Sequence, residues 1–384
     1  MITSIPIRIA LFYAAVFLVI GVHVPFWPVW LKSRGLGPGE IGLILSISTW
    51  IRALAPPFMA QFADRRGERK RLMVVLTTLT WLAYLLFPLA NNFWTILTVT
   101  VITAVCFSAV LPLGENLAML NARDHSFDYG RVRLWGSITF IIAAASAGRL
   151  LVDRDEDLIL WLMLATLGLT IAATAGLPGS PTPPAPIARQ WPILNLLSNR
   201  VFLIFLIAVG LLQASHAAYY GFATIHWRSA GLSDAVIGAL WAEGVVAEII
   251  LFAFSGAIAK RLGPVRLLIL GAAAGIIRWG VLGSTADLAL IAVVQWLHGL
   301  TFAATHLGAM HFLARAIPRE HSATAQTLYA ALGVGLFMGL AMILSGNLYS
   351  SLAGTAFHAM AVMSMLGGIA GLVLARFWRG VVLT

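Results

Sequence analysis

Several ionisable side chains lie inside stretches of the sequence that are otherwise apolar. They are Arg52, Glu115, Glu243, Glu248 and Arg278, together with the protonatable His216, His298 and His306. A charge in hydrocarbon costs at least about 2.5 kcal/mol, so each of these groups needs a partner or a function. Carboxyl and imidazole groups take up and release protons, and a guanidinium presents a planar set of donors that matches a carboxylate. The set therefore contains the groups needed to move protons and to bind an anion.

The depth of these groups within their stretches separates two interpretations. Those near the middle are Arg52, His216, Glu248, Arg278 and His298. Glu115 lies toward one end of its stretch. Structural ion pairs that join helices, for instance Arg278 with Glu248, are one explanation. Because several separate stretches supply members at a similar depth, we favour a shared site, while His306 and His311 are better explained as packing residues.

The histidines predict neither a metal site nor an enzyme. His298, His306 and His311 are separated by 8 and 5 residues, whereas side chains on one helix face lie three or four residues apart. We therefore expect no metal ligands, no catalytic residues and no cofactor. A membrane-bound enzyme or a sensor is the alternative class, but a sensor should carry a soluble signalling domain, for which neither end of the chain has room.

The composition identifies the medium around these groups. Hydrophobic residues make up 60% of the 384 residues and charged residues 10%, against about 25% charged in a soluble domain. Lipid must cover most of the side chains, so we expect an all-α membrane protein. The single Cys106 excludes an intramolecular disulfide, and the first apolar run is too long for a cleavable signal peptide.

Twelve apolar stretches approach the roughly 20 residues that a helix needs to cross a bilayer. They lie near 7–31, 40–62, 72–90, 93–119, 134–152, 158–177, 201–226, 234–259, 267–285, 288–312, 324–348 and 354–375. The Pro-rich segment 178–200 is the longest polar stretch. We therefore predict an N-terminal six-helix bundle over 1–177, a cytoplasmic linker over 178–200 and a C-terminal six-helix bundle over 201–384.

The basic residues predict the orientation of these helices. Most of the 25 Lys and Arg residues fall near the ends of the chain or in loops that follow even-numbered stretches. Cytoplasmic loops carry such an excess, so we expect both termini to be cytoplasmic. The formal charge of +10 then needs no nucleic-acid partner.

The two halves of the chain repeat with an offset of 196 residues. At this offset Gly35-Leu36 aligns with Gly231-Leu232, and Ile41-Gly42 aligns with Ile237-Gly238. A gapless repeat over half the chain predicts two pseudo-symmetric six-helix bundles.

A short motif precedes the third apolar stretch. The run AQFADRRGER from Ala60 resembles the helix 2–3 loop signature of the major facilitator superfamily, and GAIAKRLG from Gly256 is its echo. A basic loop that only obeys the charge rule is the simpler alternative. The resemblance implies a gate formed by Asp64, Arg65, Gly67, Gly256, Arg261 and Gly263. Ala60 and Lys260 depart from the usual pattern, so such a gate would be asymmetric.

Longer runs narrow the resemblance. PFWPVWL from Pro25 and FDYGRVR from Phe127 resemble the lactose permease branch. QASHAAYYGF from Gln213, GVVAE from Gly244 and VQWLH from Val294 resemble the phenylpropionate permease group, the bacterial 3-phenylpropionic acid transporters. The resemblance covers nearly the whole chain and implies the twelve-helix fold of the superfamily and transport by alternating access.

Similarity to lactose permease also implies roles for single residues. Glu115 and Arg133 match its sugar-binding pair, eighteen residues apart. Arg278 and His298 match a second pair of its site and coupling machinery, twenty residues apart. Phe140 corresponds to the aromatic residue that stacks under the sugar.

One departure from lactose permease bears on the coupling ion. Its proton-carrying Glu corresponds to Thr301 here. A coupling proton would therefore use another acid, and Glu248 is the first choice because burial favours the neutral form of a carboxyl group. Glu243 and His298 are the other proton-coupling candidates.

A second departure bears on the substrate. Arg52 is a cation where the sugar permease is apolar, and it recurs in the phenylpropionate group. A guanidinium pairs well with a carboxylate, so a small aromatic monocarboxylate, held by Arg52 or Arg133, fits better than a sugar. Trp27, Tyr219 and Tyr220 are candidate stacking surfaces. The predicted substrate-binding residues are Arg52, Glu115, Arg133, Phe140, His216, Tyr219, Arg278 and His298.

These expectations combine into one predicted function. The chain would be a monomeric proton-coupled symporter of the bacterial inner membrane that imports an aromatic carboxylate such as 3-phenylpropionate. A symporter for a sugar, a nucleoside or another small solute, and a drug-efflux antiporter, are the alternatives. The segment from Ser137 to Leu151 contains no Pro and lacks the Gly-Pro-rich motif of exporters, which favours import.

Overall fold

The computed structural model describes residues 4–66, 68–179, 193–318 and 321–383, whose regular structure is helical throughout. Their long apolar helices are α1 (Ile5–Ser33), α2 (Pro38–Ala63), α3 (Arg69–Leu89), α4 (Phe93–Asp124), α5 (Tyr129–Leu151), α6 (Asp157–Gly176), α7 (Arg200–Ser229), α8 (Asp234–Ala253), α9 (Ser255–Ser284), α10 (Leu288–Ala316) and the stretch Ser322–Phe377. The short helix Ile193–Ser198 precedes α7, inside the predicted linker.

The last stretch contains two spans. Its 56 residues are more than twice the roughly 20 that one crossing requires. Ala353 has a φ of 47°, which interrupts the helix and divides the stretch into α11 (322–352) and α12 (Phe357–Phe377). The described residues therefore contain twelve spans, and the predicted all-α membrane fold is confirmed.

Polar residues ahead of the spans determine where several helices begin. The Asn92 side chain accepts from the Thr95 N–H at 3.0 Å, and the Asn92 N–H donates to the Thr95 hydroxyl at 3.3 Å. Asp128, Asn199 and Asp287 accept from first-turn N–H groups of α5, α7 and α10 in the same way. These bonds satisfy donors that a helix start leaves open.

The described helices divide between two compact units. The first contains α1–α6 and the segment Gly231–Ala242. The second contains α7 and the residues from Glu243 onward. The helix α8 therefore begins in the first unit and ends in the second, whereas the sequence repeat predicts that it belongs to the C-terminal bundle. The bundle boundaries drawn from the sequence stay a prediction.

Close packing within each unit places the functional side chains. In the first unit, a Cβ on Gly21 of α1 would lie 2.8 Å from both the Ala143 Cβ and the Phe140 carbonyl oxygen of α5. Only glycine allows this approach, which brings Phe140 against α1. In the second unit, the rings of Phe205 and Phe312 stack with their centroids 4.1 Å apart in the centre of the core.

Replacing Gly21 by Ala should lower the melting temperature of the detergent-solubilised protein, because the new methyl group would push α1 away from α5. Overpacking of this kind costs about 1–3 kcal/mol. Gly168→Ala in α6 is the matched control, since the nearest atom to its new Cβ is the Trp81 Nε1 at 3.9 Å. Equal melting temperatures for the two variants would contradict the close approach of α1 and α5.

Candidate functional site

A cavity of about 80 Å³ lies inside the first unit, lined by residues of α1, α2, α3, α4 and α6. Arg52 of α2 is exposed and lines this cavity. Among the residues that the structure describes, no carboxylate or other hydrogen-bonding side chain pairs with its guanidinium. Pro56 also lies in α2, and because proline has no N–H, the Arg52 carbonyl loses its helical partner. Arg52 therefore adds a charged side chain and an unpaired carbonyl group to an otherwise apolar helix.

Aromatic rings form much of the wall around Arg52. The Trp27 ring stacks on His23 with centroids 5.7 Å apart and meets Phe87 edge-on at 4.8 Å. Tyr84 lies 5.1 Å from Phe87. The hydroxyl-bearing residues of the lining are Ser48, Thr80, Thr100 and Thr103. An aromatic wall with one guanidinium suits a ligand that has an anionic group.

The predicted pair of Glu115 and Arg133 comes together in the first unit. The Arg133 Nε lies 3.6 Å from a Glu115 carboxylate oxygen, and the two side chains are partly exposed. The Arg133 guanidinium also lies 4.3 Å from the centre of the Phe17 ring and 5.3 Å from that of Tyr13. Phe140 is buried nearby along α5. Because Glu115 already balances the charge of Arg133, Arg52 is the better receptor for an added carboxylate.

Arg278 is the centre of a buried polar network in the second unit. It is completely buried and donates to His298 Nδ1 at 2.9 Å, to the Thr301 hydroxyl at 3.0 Å and to the Gln295 side-chain oxygen at 2.8 Å. Its guanidinium carbon lies 4.6 Å from the Tyr219 ring centre and 4.5 Å from that of Trp279. These contacts compensate for the loss of water around the charge.

The network determines which nitrogen of His298 carries a proton. A guanidinium can only donate hydrogen bonds, so His298 Nδ1 must accept and Nε2 must carry the hydrogen. That Nε2 lies 3.9 Å from a Glu248 carboxylate oxygen. A second proton on His298 would have to sit on Nδ1, where Arg278 already donates. Glu248 is consequently the group in this pair that can exchange a proton without breaking the contact with Arg278.

Thr301 connects the network to His216. Its hydroxyl accepts from Arg278 and lies 3.1 Å from His216 Nε2. His216 Nδ1 lies 3.1 Å from the Gln213 carbonyl oxygen, to which it donates. The Gln295 amide in turn donates to the Tyr219 hydroxyl at 2.9 Å. These bonds form a continuous chain in which neighbouring bonds strengthen one another, although the buried Arg278 Nε has no partner among the described residues.

The sequence prediction did not include Gln295 and Thr301 among the functional residues. Gln295, His298 and Thr301 are spaced three residues apart on α10, which aligns them on one face of a helix. The π-helical segment Gly299–Ala304 begins directly after His298, and such segments often occur at functional sites. The spacing of three polar residues in an apolar helix was the signal that could have identified the pair.

Most of the candidate residues of the second unit are inaccessible in this conformation. His216, Tyr219, Arg278 and His298 are at most 6% exposed, so they present no surface to a solute. Glu248 is partly accessible, with 20% of its side chain exposed. Glu243 is half-buried and accepts a hydrogen bond from Trp296.

The predicted gating residues are only partly described. Asp64 and Arg65 lie in the helical turn that ends at Arg66; their side chains and Gly67 lie outside the described residues. Gly263 has φ 70° and ψ 172°, a conformation that is essentially restricted to glycine and that kinks α9. The other members of the second copy, Gly256 and Arg261, are exposed. The gating role of the motif stays a prediction.

Thr301→Val should destabilise the protein, because it removes an acceptor from the buried Arg278 and cuts the link to His216. Leaving a buried donor unpaired costs about 1–3 kcal/mol. Thr305→Val is the matched control one turn further along α10, since the Thr305 hydroxyl is buried without a hydrogen-bond partner among the described residues. Thermal unfolding of both variants in detergent is the measurement, and equal stability would contradict the role of Thr301.

Comparisons with known proteins agree with this architecture. Residues 6–359 match the family described as the MFS_1 like family. The chain is 36% identical to the "Probable 3-phenylpropionic acid transporter" of Escherichia coli (strain K12) over 93% of its length and 94% of that relative. It is 27% identical to the maltose permease of Geobacillus stearothermophilus over 95% of its length and 93% of that relative.

A solved structure agrees with the fold. The nucleoside transporter NupG superimposes with a TM-score of 0.84 at 14% identity, covering 98% of this chain and all of NupG. At this identity the similarity concerns the fold alone. The family match over residues 6–359 and the 36% identity to the Escherichia coli relative show that the protein belongs to the MFS_1 like family of major facilitator transporters.

Proposed function

We propose that the protein imports a small aromatic carboxylate together with protons by alternating access. The observation that carries this proposal is Arg52, an exposed guanidinium in an apolar span, on an aromatic-walled cavity and without a carboxylate partner among the described residues. A cation in such a place is costly, and an anionic solute would offset part of that cost. The name of the Escherichia coli relative points to the same class of solute.

Arg52 and Arg133 of the first unit together favour a carboxylate over a sugar. Arg133 already has Glu115 as a partner, an arrangement that binds hydroxyl groups without needing a charged ligand. Arg52 adds a charge that a neutral sugar or nucleoside does not require. A solute with one carboxylate on an apolar body makes use of both the guanidinium and the apolar lining of the cavity.

The proton site proposed is Glu248. A carboxylate near the middle of the membrane favours a bound proton when it is enclosed in a low-dielectric environment, and His298 holds its Nε2–H toward it. A proton on Glu248 and a substrate carboxylate on Arg52 would each remove one uncompensated charge. Binding both together lowers the cost of enclosing the site, which is the physical basis of coupling in a symporter.

The remaining parts of the proposal follow from the same chemistry. The transporter needs no cofactor other than the coupled proton, and it carries out no covalent reaction on its solute. It would work as a monomer in the bacterial inner membrane, with both termini in the cytoplasm, because the basic loops lie on that side.

Arg52→Gln should abolish uptake of 3-phenylpropionate into proteoliposomes, and Arg52→Lys should retain only a small part, because an ammonium lacks the fork geometry of a guanidinium. Uptake of labelled 3-phenylpropionate with an inward proton gradient is the measurement. The uncharged 3-phenylpropionamide is the control ligand. If wild-type protein transports the amide and Arg52→Gln loses both ligands equally, the carboxylate role of Arg52 is wrong.

Glu248→Gln should lose accumulation driven by the proton gradient while retaining exchange of labelled for unlabelled substrate, because exchange needs no net proton movement. Glu243→Gln is the matched control, five residues earlier in the same helix, and should keep gradient-driven accumulation. Full accumulation by Glu248→Gln would refute the assignment. If Glu243→Gln alone lost gradient-driven accumulation, Glu243 would be the proton site instead.

A further inference from the structure

We infer that the cavity beside Arg52 is a subsite for the substrate carboxylate alone, completed by the Thr100 hydroxyl and too small for the aromatic ring. The inference rests on the proposed function and names the part of the solute that enters the first unit. Its distinguishing elements are a second donor on α4 and a limit on the size of the group that fits.

Thr100 lines this cavity and has an unpaired hydroxyl. The residue is 6% exposed and lines the cavity, and its Oγ1 is buried with no hydrogen-bond partner in the described part of the chain. Buried polar groups are nearly always paired, so an unpaired one calls for an explanation. A ligand atom that accepts a hydrogen bond from the Thr100 hydroxyl would explain why the protein leaves that hydroxyl unpaired.

Two neighbouring threonines provide a direct contrast. Thr80 also lines the cavity, and its hydroxyl donates to the Leu76 carbonyl at 2.7 Å. Thr103 does the same with the Thr100 carbonyl at 2.9 Å. Both hydroxyls are therefore satisfied by the backbone of their own helices, which is the usual arrangement in apolar helices. Thr100 departs from it.

Arg52 and Thr100 approach the cavity from different helices. A carboxylate has two oxygens that accept several hydrogen bonds, so it can bind the guanidinium of α2 and the hydroxyl of α4 together. His23 on α1 is also without a hydrogen-bond partner among the described residues and lies within electrostatic reach of Arg52. Hydrogen bonds that a carboxylate accepts are charge-assisted and are about twice as strong as neutral ones. A carboxylate in the cavity would therefore lie among residues of all three helices.

The size of the cavity limits what else can enter. Its volume is about 80 Å³, while an apolar protein cavity that binds benzene measures about 150 Å³. A carboxylate with the adjoining methylene groups fits, but an aromatic ring does not. Acids whose carboxylate sits on a flexible stem, such as 3-phenylpropionate, can place it beside Arg52 with the ring outside. Benzoate, whose carboxylate is attached directly to the ring, cannot.

Binding of a series of acids to the purified full-length protein tests the size limit. Calorimetry with benzoate, phenylacetate and 3-phenylpropionate should give affinities that rise with stem length, with 3-phenylpropionate at least about tenfold tighter than benzoate. Equal or tighter binding of benzoate would overturn the inference.

Variants of the three threonines test the second donor. Thr100→Val should weaken 3-phenylpropionate binding about tenfold, the effect of losing one hydrogen bond to a charged group, and Thr100→Ser should restore it. The unliganded melting temperature of Thr100→Val should not fall, because the hydroxyl that it removes has no protein partner. Thr80→Val and Thr103→Val are controls that should keep wild-type affinity.

The outcomes distinguish this inference from the proposed function. If wild-type protein binds and accumulates 3-phenylpropionate but Thr100→Val binds it as tightly as Thr103→Val does, the subsite is wrong and the proposed function stands. If wild-type protein neither binds nor transports any of the acids, the proposed function itself fails.

Discussion

A guanidinium inside an apolar span keeps its charge, so its donors must be met by acceptors or left facing a ligand. The protein treats two such groups in opposite ways. Arg278 is enclosed by His298, Thr301 and Gln295 and lies against two aromatic rings. Arg52 is exposed at a cavity and has no carboxylate partner among the described residues. The protein provides three acceptors for the two terminal nitrogens of the first cation, whose buried Nε has no partner among the described residues, and the second cation is available.

This difference gives the two clusters different chemical capacities. The hydrogen bond from Arg278 holds His298 in one tautomer and places its Nε2–H on the side of Glu248, so Glu248 is the group of that cluster whose protonation can change. The open guanidinium of Arg52 requires an anion from outside. The proton exchange proposed for one unit and the anion binding proposed for the other would therefore both follow from how each arginine is surrounded.

The backbone places both clusters with a few local devices. The π-helical segment after His298 re-aims the side chains of α10, and Pro56 leaves the Arg52 carbonyl without its helical bond. Gly21 lets α1 approach α5 closely at Phe140 and Ala143. At each of these three positions the helix lacks either a regular hydrogen bond or a side chain, and at the first two a residue of one of the clusters is positioned there.

Sequence alone determined the twelve spans and the family, because hydropathy and span length are properties of continuous runs of residues and the motifs are local. It also identified Arg52, Glu248, Arg278 and His298 as groups that need an explanation, since a charge in an apolar run is visible without a structure. Only the tertiary structure decided that Thr301 joins Arg278 to His216, and that the Thr80 and Thr103 hydroxyls bond their own helices while that of Thr100 does not. Whether a buried hydroxyl is satisfied depends on the side-chain rotamer and on the helices packed around it, and neither is encoded in the local run of residues.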